Sequence, residues 1–256
     1  MSGRSGVGGR RRRPRRDRMT RLGIIGSGSI GAGLASLASA AGHDVRIANS
    51  RGPESLAGLV AELGPGVQAA TVEEAAAFGD LTILAVPLSA YGSLPIQELS
   101  GRTVLSTGNY YPSRDGRIPE LDSLDLTTAE YESTVLPGAV IVKAFNNIVA
   151  HHIPSLARPA EAQDRSGMAV FGDSTEAKQL VAQVIGDLGF DAVDCGPLAE
   201  SWRTEPESGA YTLVYAADSE GFSSDYTADP GAPVPADRLR ELVAASTRAK
   251  VAEREF

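Results

Sequence analysis

Short apolar runs alternate with helix-length segments along most of this 256-residue chain, starting at Arg21. The runs are apolar throughout rather than alternately polar, which predicts strands covered on both faces. The predicted strands are 22–25, 45–48, 68–70, 81–86, 103–105, 139–145, 168–171 and 190–193. The predicted helices between them are 29–41, 53–63, 72–78, 127–136, 146–156 and 175–188. This order predicts an α/β fold of the Rossmann type, with a doubly wound, mostly parallel sheet and a short C-terminal helical extension.

Composition divides the chain into three segments. Residues 1–18 carry eight arginines and almost no apolar side chain, so we predict a disordered basic arm. We interpret it as the result of a mis-set start codon, with the natural start at Met19, or as a solvated tail. A basic arm for nucleic acid or an anionic membrane and a twin-arginine export signal are the alternatives. Residues 19–205 are predicted to form the Rossmann domain, and residues 206–256 a C-terminal linker and helix.

The C-terminal segment has its own pattern. Residues 218–236 are rich in Asp, Ser, Gly and Pro, which predicts an exposed linker. Residues 238–254 have an amphipathic pattern typical of a helix. That helix is either a solvated cap or a contact in a homodimer.

Charge and cysteine content exclude several classes of protein. Outside residues 1–18 the chain has 16 basic and 31 acidic side chains, and a net charge of −15 repels nucleic-acid phosphates. One cysteine and three histidines make neither a disulfide nor a metal site. The longest apolar stretches are too short to span a membrane. We therefore expect a cytoplasmic protein with a small-molecule substrate and without a nucleic-acid, membrane or metal partner.

A glycine-rich loop follows the first predicted strand. Its residues are Gly26, Ser27, Gly28, Ser29, Ile30 and Gly31, and a predicted helix begins within it. In this setting the first glycine permits a tight turn, the second lets the backbone approach a pyrophosphate, and the third lets the helix pack on the strand. Free amides at the helix start bind the anion. All six residues are therefore predicted to bind a dinucleotide.

The end of the second predicted strand selects the cofactor. An NAD-binding protein has an acid there for the ribose hydroxyl, whereas this chain has Asn49, Ser50 and Arg51. A guanidinium beside a hydroxyl suits a phosphate. We predict that these three residues bind NADP(H), with Ser50 and Arg51 at the 2′-phosphate; the alternative is a turn that happens to carry arginine.

Several segments together resemble one protein family. Besides the glycine loop, they are ANSRGPESL at 48–56, LAVP at 84–87, NYY at 109–111, VKAFNN at 142–147 and DCGPL at 194–198. In this order they resemble the NADP oxidoreductases that depend on coenzyme F420, a deazaflavin, over about residues 20–205. The resemblance implies a Rossmann domain, often dimeric, that transfers a hydride between NADPH and the deazaflavin. The family commonly has an acid where this chain has Ser106 and a serine or threonine where it has Gly108, which puts the second substrate in doubt.

Residues at the carboxyl ends of the central strands complete the predicted site. Val86 and Pro87 are predicted to lie beside the nicotinamide, although they could simply end a strand. Asn109 is predicted to contact the cofactor, and Asn109, Tyr110 and Tyr111 to line the acceptor pocket, where a tyrosine would stack on a ring, unless 109–111 is a packed loop.

The predicted catalytic residues are Lys143, Asn146 and Tyr110. A lysine in an apolar strand needs a partner, and we favour a substrate or phosphate contact over a salt bridge. Asn146 could instead cap a helix. His151 and His152 are interpreted as surface or packing residues rather than proton donors, and Cys195 as a small residue at a strand end.

These features predict an NADPH-dependent oxidoreductase whose second substrate is coenzyme F420. One alternative is a specialised imine or carbonyl reductase, which needs a proton donor, with Tyr110, Tyr111 and Lys143 as candidates. Another is a non-catalytic NADP-binding sensor or regulatory module, with a partner surface on the terminal helix.

Overall fold

The computed structural model describes residues 19–255, so the predictions for residues 1–18 lie outside the described part of the chain. The strands are β1 (Arg21–Ile25), β2 (Asp44–Ala48), β3 (Val67–Ala69), β4 (Leu81–Leu84), β5 (Thr103–Ser106), β6 (Val140–Lys143), β7 (Gly167–Gly172) and β8 (Asp191–Asp194). The α-helices are α1 (Ser29–Ala40), α2 (Ala57–Leu63), α3 (Val72–Phe78), α4 (Ile96–Leu99), α5 (Pro112–Asp115), α6 (Pro119–Asp122), α7 (Thr128–Val135), α8 (His152–Leu156), α9 (Thr175–Asp187), α10 (Ser219–Ser224) and α11 (Ala236–Ala244). Segments of 3₁₀-helix lie at Pro53–Leu56, Leu88–Ser93, Leu198–Thr204, Thr212–Tyr215 and Val251–Glu253.

The strands form one eight-stranded sheet in the order β3-β2-β1-β4-β5-β6-β7-β8. Strands β1 to β6 are parallel, β7 is antiparallel to β6, and β8 is again parallel to β7. This confirms the predicted doubly wound, mostly parallel Rossmann sheet. From β1 the chain adds β2 and β3 on one side and then returns to add β4 on the other side. Ligands of such sheets bind at the carboxyl ends of the strands beside this switch point.

Apolar side chains cover both faces of the sheet, as the continuous apolar runs predict. Helix starts are specified locally. Thr71 and Glu74 form a capping box at α3, and Thr127 and Glu130 form another at α7, each satisfying two backbone amides. In the described part of the chain, no helix is both long and apolar enough to cross a membrane.

The helix predicted over 146–156 is wrong in its first half, because α8 begins only at His152. Phe145 is buried and has a φ of 57°, which turns the chain out of the line of β6. Asn146 is therefore not a helix cap. Its amide nitrogen instead donates to the carbonyl of Thr204 at 2.9 Å, and that of Asn147 donates to the carbonyl of Ala210 at 2.9 Å.

The C-terminal segment is more ordered than its composition predicts. The supposed linker 218–236 contains α10, and Asp229 within it is buried. The predicted helix 238–254 ends at Ala244, and Leu239 and Val243 on its buried side belong to the main core. The apolar side of the helix is therefore packed on the chain's own core, while the charged side is exposed, and a homodimer contact there stays a prediction.

Candidate functional site

The loop after β1 is shaped by two glycines that have no room for a side chain. Gly26 has a φ of +115°, and a Cβ there would lie 2.2 Å from the carbonyl oxygen of Ala85. A Cβ on Gly31 would lie 2.0 Å from the carbonyl oxygen of Gly26. Only glycine allows this close packing of β1, β4 and α1. The structural roles predicted for these two residues follow from these distances.

Gly28 differs from its neighbours because a Cβ there would meet nothing within 4 Å. It caps α1 without a side-chain hydrogen bond, so the amides of the first helical turn face open space. Ser27, Ser29 and Ile30 complete the rim of this cradle, and none of the three is buried. Open space at a helix N-terminus fits the pyrophosphate of a dinucleotide.

The turn after β2 lies beside the cradle. The amide nitrogen of Asn49 donates to the hydroxyls of Ser27 at 3.3 Å and Ser55 at 3.0 Å, while its oxygen accepts the backbone N–H of Arg51 at 2.9 Å. These bonds tie the turn to the glycine loop. Ser50 and Arg51 are exposed, and within residues 19–255 no hydrogen bond or ion pair holds the Arg51 guanidinium. A free guanidinium and a hydroxyl at this place fit an NADP 2′-phosphate.

Val86 and Pro87 follow β4 directly. They border the crevice at the switch point between β1 and β4, where the glycine loop also lies. A Cβ on Gly26 would lie 3.1 Å from Val86 Cγ1, which places that side chain against the glycine loop. Val86 is half-buried and Pro87 is exposed. Both therefore lie at the surface where the switch point opens, and their contact with a nicotinamide stays a prediction.

Asn109 and Asn146 join the ends of β5 and β6. The Asn109 amide donates to the carbonyl of Asn146 at 2.7 Å, and the Asn146 amide donates to Asn109 Oδ1 at 3.2 Å. Both side chains are nearly buried, at 8% and 4% exposure. Their amides brace the crevice, and their predicted direct contacts with cofactor or substrate stay predictions.

Lys143 is fully buried in an ion pair, so the preference for a substrate contact over a salt bridge is corrected. Its ammonium lies 2.8 Å from Oε1 of Glu132 on α7 and 3.2 Å from the hydroxyl of Ser106. The same carboxylate oxygen accepts hydrogen bonds from Ser106 at 2.7 Å and from Tyr91 at 3.2 Å. Burial raises the pKa of the Tyr91 phenol well above its ordinary value, with the Glu132 charge adding to the shift. The sheet end thus holds a closed polar cluster behind the crevice.

Tyr110 also lies away from the crevice, which corrects its predicted place in the acceptor pocket. Its hydroxyl donates to Asp122 at 3.1 Å and accepts the backbone N–H of Ile118 at 2.9 Å. Burial is the largest cause of the raised pKa of this phenol. The neighbouring Tyr111 points to the opposite side from Tyr110, because side chains of successive residues in extended chain alternate.

Tyr111 lines an open cleft of about 630 Å³. The loop that carries Tyr111 and Arg114 is tied to the carboxyl end of the sheet, since Ser89, two residues after Pro87, donates its backbone N–H to Asp115 at 3.2 Å. The cleft is lined by Tyr111, Ser113, Arg114, Val149, Tyr211, Thr212, Phe222 and Tyr226. Four of these residues come from the C-terminal segment 206–256, two of them from the predicted linker 218–236, and the sequence analysis missed all four. Aromatic residues within an otherwise polar segment were the signal that could have found them.

Cys195 and His152 are two further groups that could be reactive. Burial raises the pKa of the Cys195 thiol to about 11, so the nucleophilic thiolate is disfavoured. His152 is buried against Asp229, which agrees with the interpretation of this histidine as a packing residue. Within residues 19–255 no three His, Cys, Asp or Glu side chains are grouped as metal ligands.

Known proteins resemble this chain in both sequence and fold. The family model described as NADP oxidoreductase, coenzyme F420-dependent, matches residues 21–110. A solved structure of the hypothetical protein SMa0349 from Sinorhizobium meliloti is 33% identical, covers 72% of this chain and 88% of its own, and has a TM-score of 0.63. A candidate F420-dependent NADP-reductase from Arthrobacter sp. FB24 has a TM-score of 0.58 at 24% identity, over 71% of this chain and 87% of its own, and supports the fold.

A curated relative extends well beyond the matched region. The metalloreductase STEAP3 of Rattus norvegicus is 30% identical over 181 residues, which cover 70% of this chain. The chain spans about a third of that relative, 34% of its length. The family model and the Sinorhizobium meliloti relative agree with the glycine loop and the Asn49–Arg51 turn in indicating one protein family. The chain belongs to the family of NADP oxidoreductases described as coenzyme F420-dependent.

Proposed function

We propose that this chain is an oxidoreductase that transfers a hydride between NADP(H) and a second substrate, the deazaflavin coenzyme F420. The observation that carries the proposal is the joint geometry of Gly28 and Arg51. An open helix N-terminus for a pyrophosphate lies beside an unengaged guanidinium for a 2′-phosphate, and Asn49 fixes the two relative to each other.

The residues of the crevice bind and orient rather than exchange protons. Bound NADPH supplies the hydride, and a transfer between two rings depends on their orientation and on the exclusion of water. Val86 and Pro87 offer one side of the crevice, while Asn109 and Asn146 fix the ends of β5 and β6 through their paired amides. The aromatic cleft beside Tyr111 provides the place for a second ring.

The position of the phenols and the lysine favours the deazaflavin over an imine or carbonyl. Such a reductase needs a proton donor near the acceptor atom. Lys143 and Tyr110 are buried and engaged elsewhere, and the Tyr111 hydroxyl already shares a hydrogen bond with Tyr211. Direct hydride transfer to a deazaflavin makes no such demand.

The packing of the C-terminus argues against the regulatory alternative. That reading assigned a partner surface to the terminal helix, but Leu239 and Val243 on α11 are buried in the chain's own core. The predicted homodimer and cytoplasmic location stay predictions.

Cofactor selection provides the first test. The variant Arg51→Asp is expected to weaken NADPH binding about 10- to 100-fold and to leave NADH binding nearly unchanged, because one charge-assisted phosphate contact is lost. Fluorescence titration of both nucleotides measures the ratio. Arg238→Asp on the exposed side of α11 makes the same charge change and should leave the ratio as it is. An unchanged ratio in Arg51→Asp would contradict the proposed NADP site.

Turnover tests the second substrate. Purified protein mixed with NADPH and oxidised coenzyme F420 should consume NADPH, as followed by its absorbance. Binding of NADPH without any turnover of the deazaflavin would overturn this part of the proposal and favour the specialised reductase.

A further inference from the structure

The aromatic cleft has two walls that are far apart in sequence. Tyr111, Arg114 and Val149 form the wall that belongs to the sheet. The opposite wall comes from residues 211–226, which supply Tyr211, Thr212, Phe222 and Tyr226. Phe222 and Tyr226 lie with ring centroids 6.1 Å apart, so they form a continuous aromatic surface.

Asp229 fastens this second wall at its C-terminal end. The carboxylate accepts backbone N–H groups from Ala217 at 3.0 Å, Asp218 at 3.1 Å and Gly231 at 2.8 Å, which closes the chain around α10. Nε2 of the fully buried His152 lies 3.2 Å from the same carboxylate and 2.9 Å from the Asp229 carbonyl. The wall is therefore fixed to α8 and not a free loop.

The N-terminal end of the wall is fixed as well. Asn147, just after β6, donates to the carbonyl of Ala210, and the hydroxyls of Tyr111 and Tyr211 share a hydrogen bond across the cleft. Burial is the main cause that raises the pKa of Tyr211 far above its ordinary value, so this phenol stays protonated. Both ends of the wall are thus attached to segments that follow the carboxyl end of β6, the end of the sheet where the crevice opens.

We infer that the cleft-lining residues of the second wall, Tyr211, Thr212, Phe222 and Tyr226, are the recognition wall of the second-substrate site and that they select a planar aromatic ring. Three observations support this inference, which rests on the proposed hydride transfer. Aromatic side chains face the cleft from both walls, which suits stacking on a flat ring. The volume of about 630 Å³ is that of a small-molecule site. The cleft's guanidinium, on Arg114, is already 2.8 Å from Asp115, so the ring rather than an anionic group is recognised here.

Tyr226 gives the sharpest test because it is 54% exposed and its loss costs the fold little. Binding of oxidised coenzyme F420 to the NADP⁺-loaded protein is measured by fluorescence titration, which does not depend on turnover. Tyr226→Ala should weaken this binding about tenfold, whereas Tyr226→Phe keeps the ring and should bind as the unmodified protein does. Leu213→Ala removes a similarly exposed side chain of the same segment that does not line the cleft, and it should change nothing.

The outcomes separate this inference from the proposed function. Equal affinity in Tyr226→Ala and Leu213→Ala, or a loss in Tyr226→Phe as large as in the alanine variant, would overturn the recognition wall. If the deazaflavin binds in a Tyr226-dependent way but is not reduced, the wall stands and the proposed function fails. If Tyr226→Ala reduces the deazaflavin with an unchanged KM, the function stands and the wall fails.

Discussion

Gly108 lies where the loop after β5 passes closest to the buried carboxylate of Glu132. A Cβ there would lie 2.6 Å from Glu132 Oε1 and 3.2 Å from the Tyr91 hydroxyl. The backbone N–H of Gly108 also donates to the Ser106 hydroxyl at 3.1 Å. The two departures from the family, at positions 106 and 108, thus meet at one carboxylate. The carboxylate comes from Glu132 on helix α7, and the small residue at 108 leaves room for it.

Gly108→Ala is accordingly expected to lower the free energy of unfolding by about 1–3 kcal/mol, because the added methyl group displaces a buried, hydrogen-bonded carboxylate. Urea denaturation measures the loss. Gly58→Ala in α2 is the matched control, since a Cβ there meets nothing within 4 Å and alanine favours a helix. A Gly108→Ala protein as stable as the Gly58→Ala protein would contradict this account of the cluster.

At the scale of elements, the C-terminal 3₁₀ segment Val251–Glu253 is anchored by the next residue. Arg254 is 2% exposed, and its guanidinium lies 2.9 Å from Glu207 and donates to the carbonyls of Tyr110 at 2.7 Å and Pro206 at 2.9 Å. Arg117 in turn donates to the Arg254 carbonyl at 2.8 Å. The end of the chain is thus clamped against the loop that precedes α5.

Arg254→Ala should therefore destabilise the fold by about 2–4 kcal/mol, because it leaves buried carbonyls and a carboxylate without their donor. Thermal or urea unfolding provides the measurement. Lys250→Ala removes an exposed cation from the same segment and is expected to cost less than about 0.5 kcal/mol. Equal stability of the two variants would show that the clamp contributes nothing.

The sequence predicted those elements whose determinants are local. The glycine loop, the Asn49–Arg51 turn and the apolar strands have short-range signatures. The structure places the loop and the turn together at the carboxyl ends of β1 and β2. The helix predicted over 146–156 failed because Phe145 adopts a positive φ, and its ring packs edge-on against Phe190, which is distant in sequence. The second wall of the cleft was missed for a related reason, since Asp229 organises a polar segment through backbone hydrogen bonds that composition does not reveal.

At the scale of the whole molecule, the C-terminal segment and the Rossmann sheet share one core. Tyr215, Leu239 and Val243 belong to the same apolar cluster as β1 and β2. The Tyr215 hydroxyl donates to the carbonyl of Gly167 on β7 at 2.8 Å. Unfolding of residues 206–255 would therefore expose the core of the sheet, and we expect both parts to unfold together.

Two buried histidines make the stability of the folded protein depend on pH. Burial is the main cause that lowers the pKa of both His43 and His152 below 6.5, although Asp187 opposes the shift at His43 and Asp229 opposes it at His152. The unfolded chain then binds protons at a higher pH than the folded protein does. Stability is therefore fully present above pH 6.5 and falls as the pH drops from 6.5 towards the folded-state pKa values.

Each histidine that is protonated in the unfolded chain but neutral in the folded protein changes the free energy of unfolding by up to about 1.4 kcal/mol per pH unit in that window. Urea unfolding at pH 7.5 and pH 5.5 should show the loss in the unmodified protein. The double variant His43→Asn/His152→Gln keeps an acceptor for the Thr20 amide and a donor to Asp229 but removes both titrating rings. Its pH slope should be smaller, whatever its absolute stability, and comparing slopes cancels the contribution of the acidic surface. Identical slopes would mean that neither histidine is kept neutral by its burial.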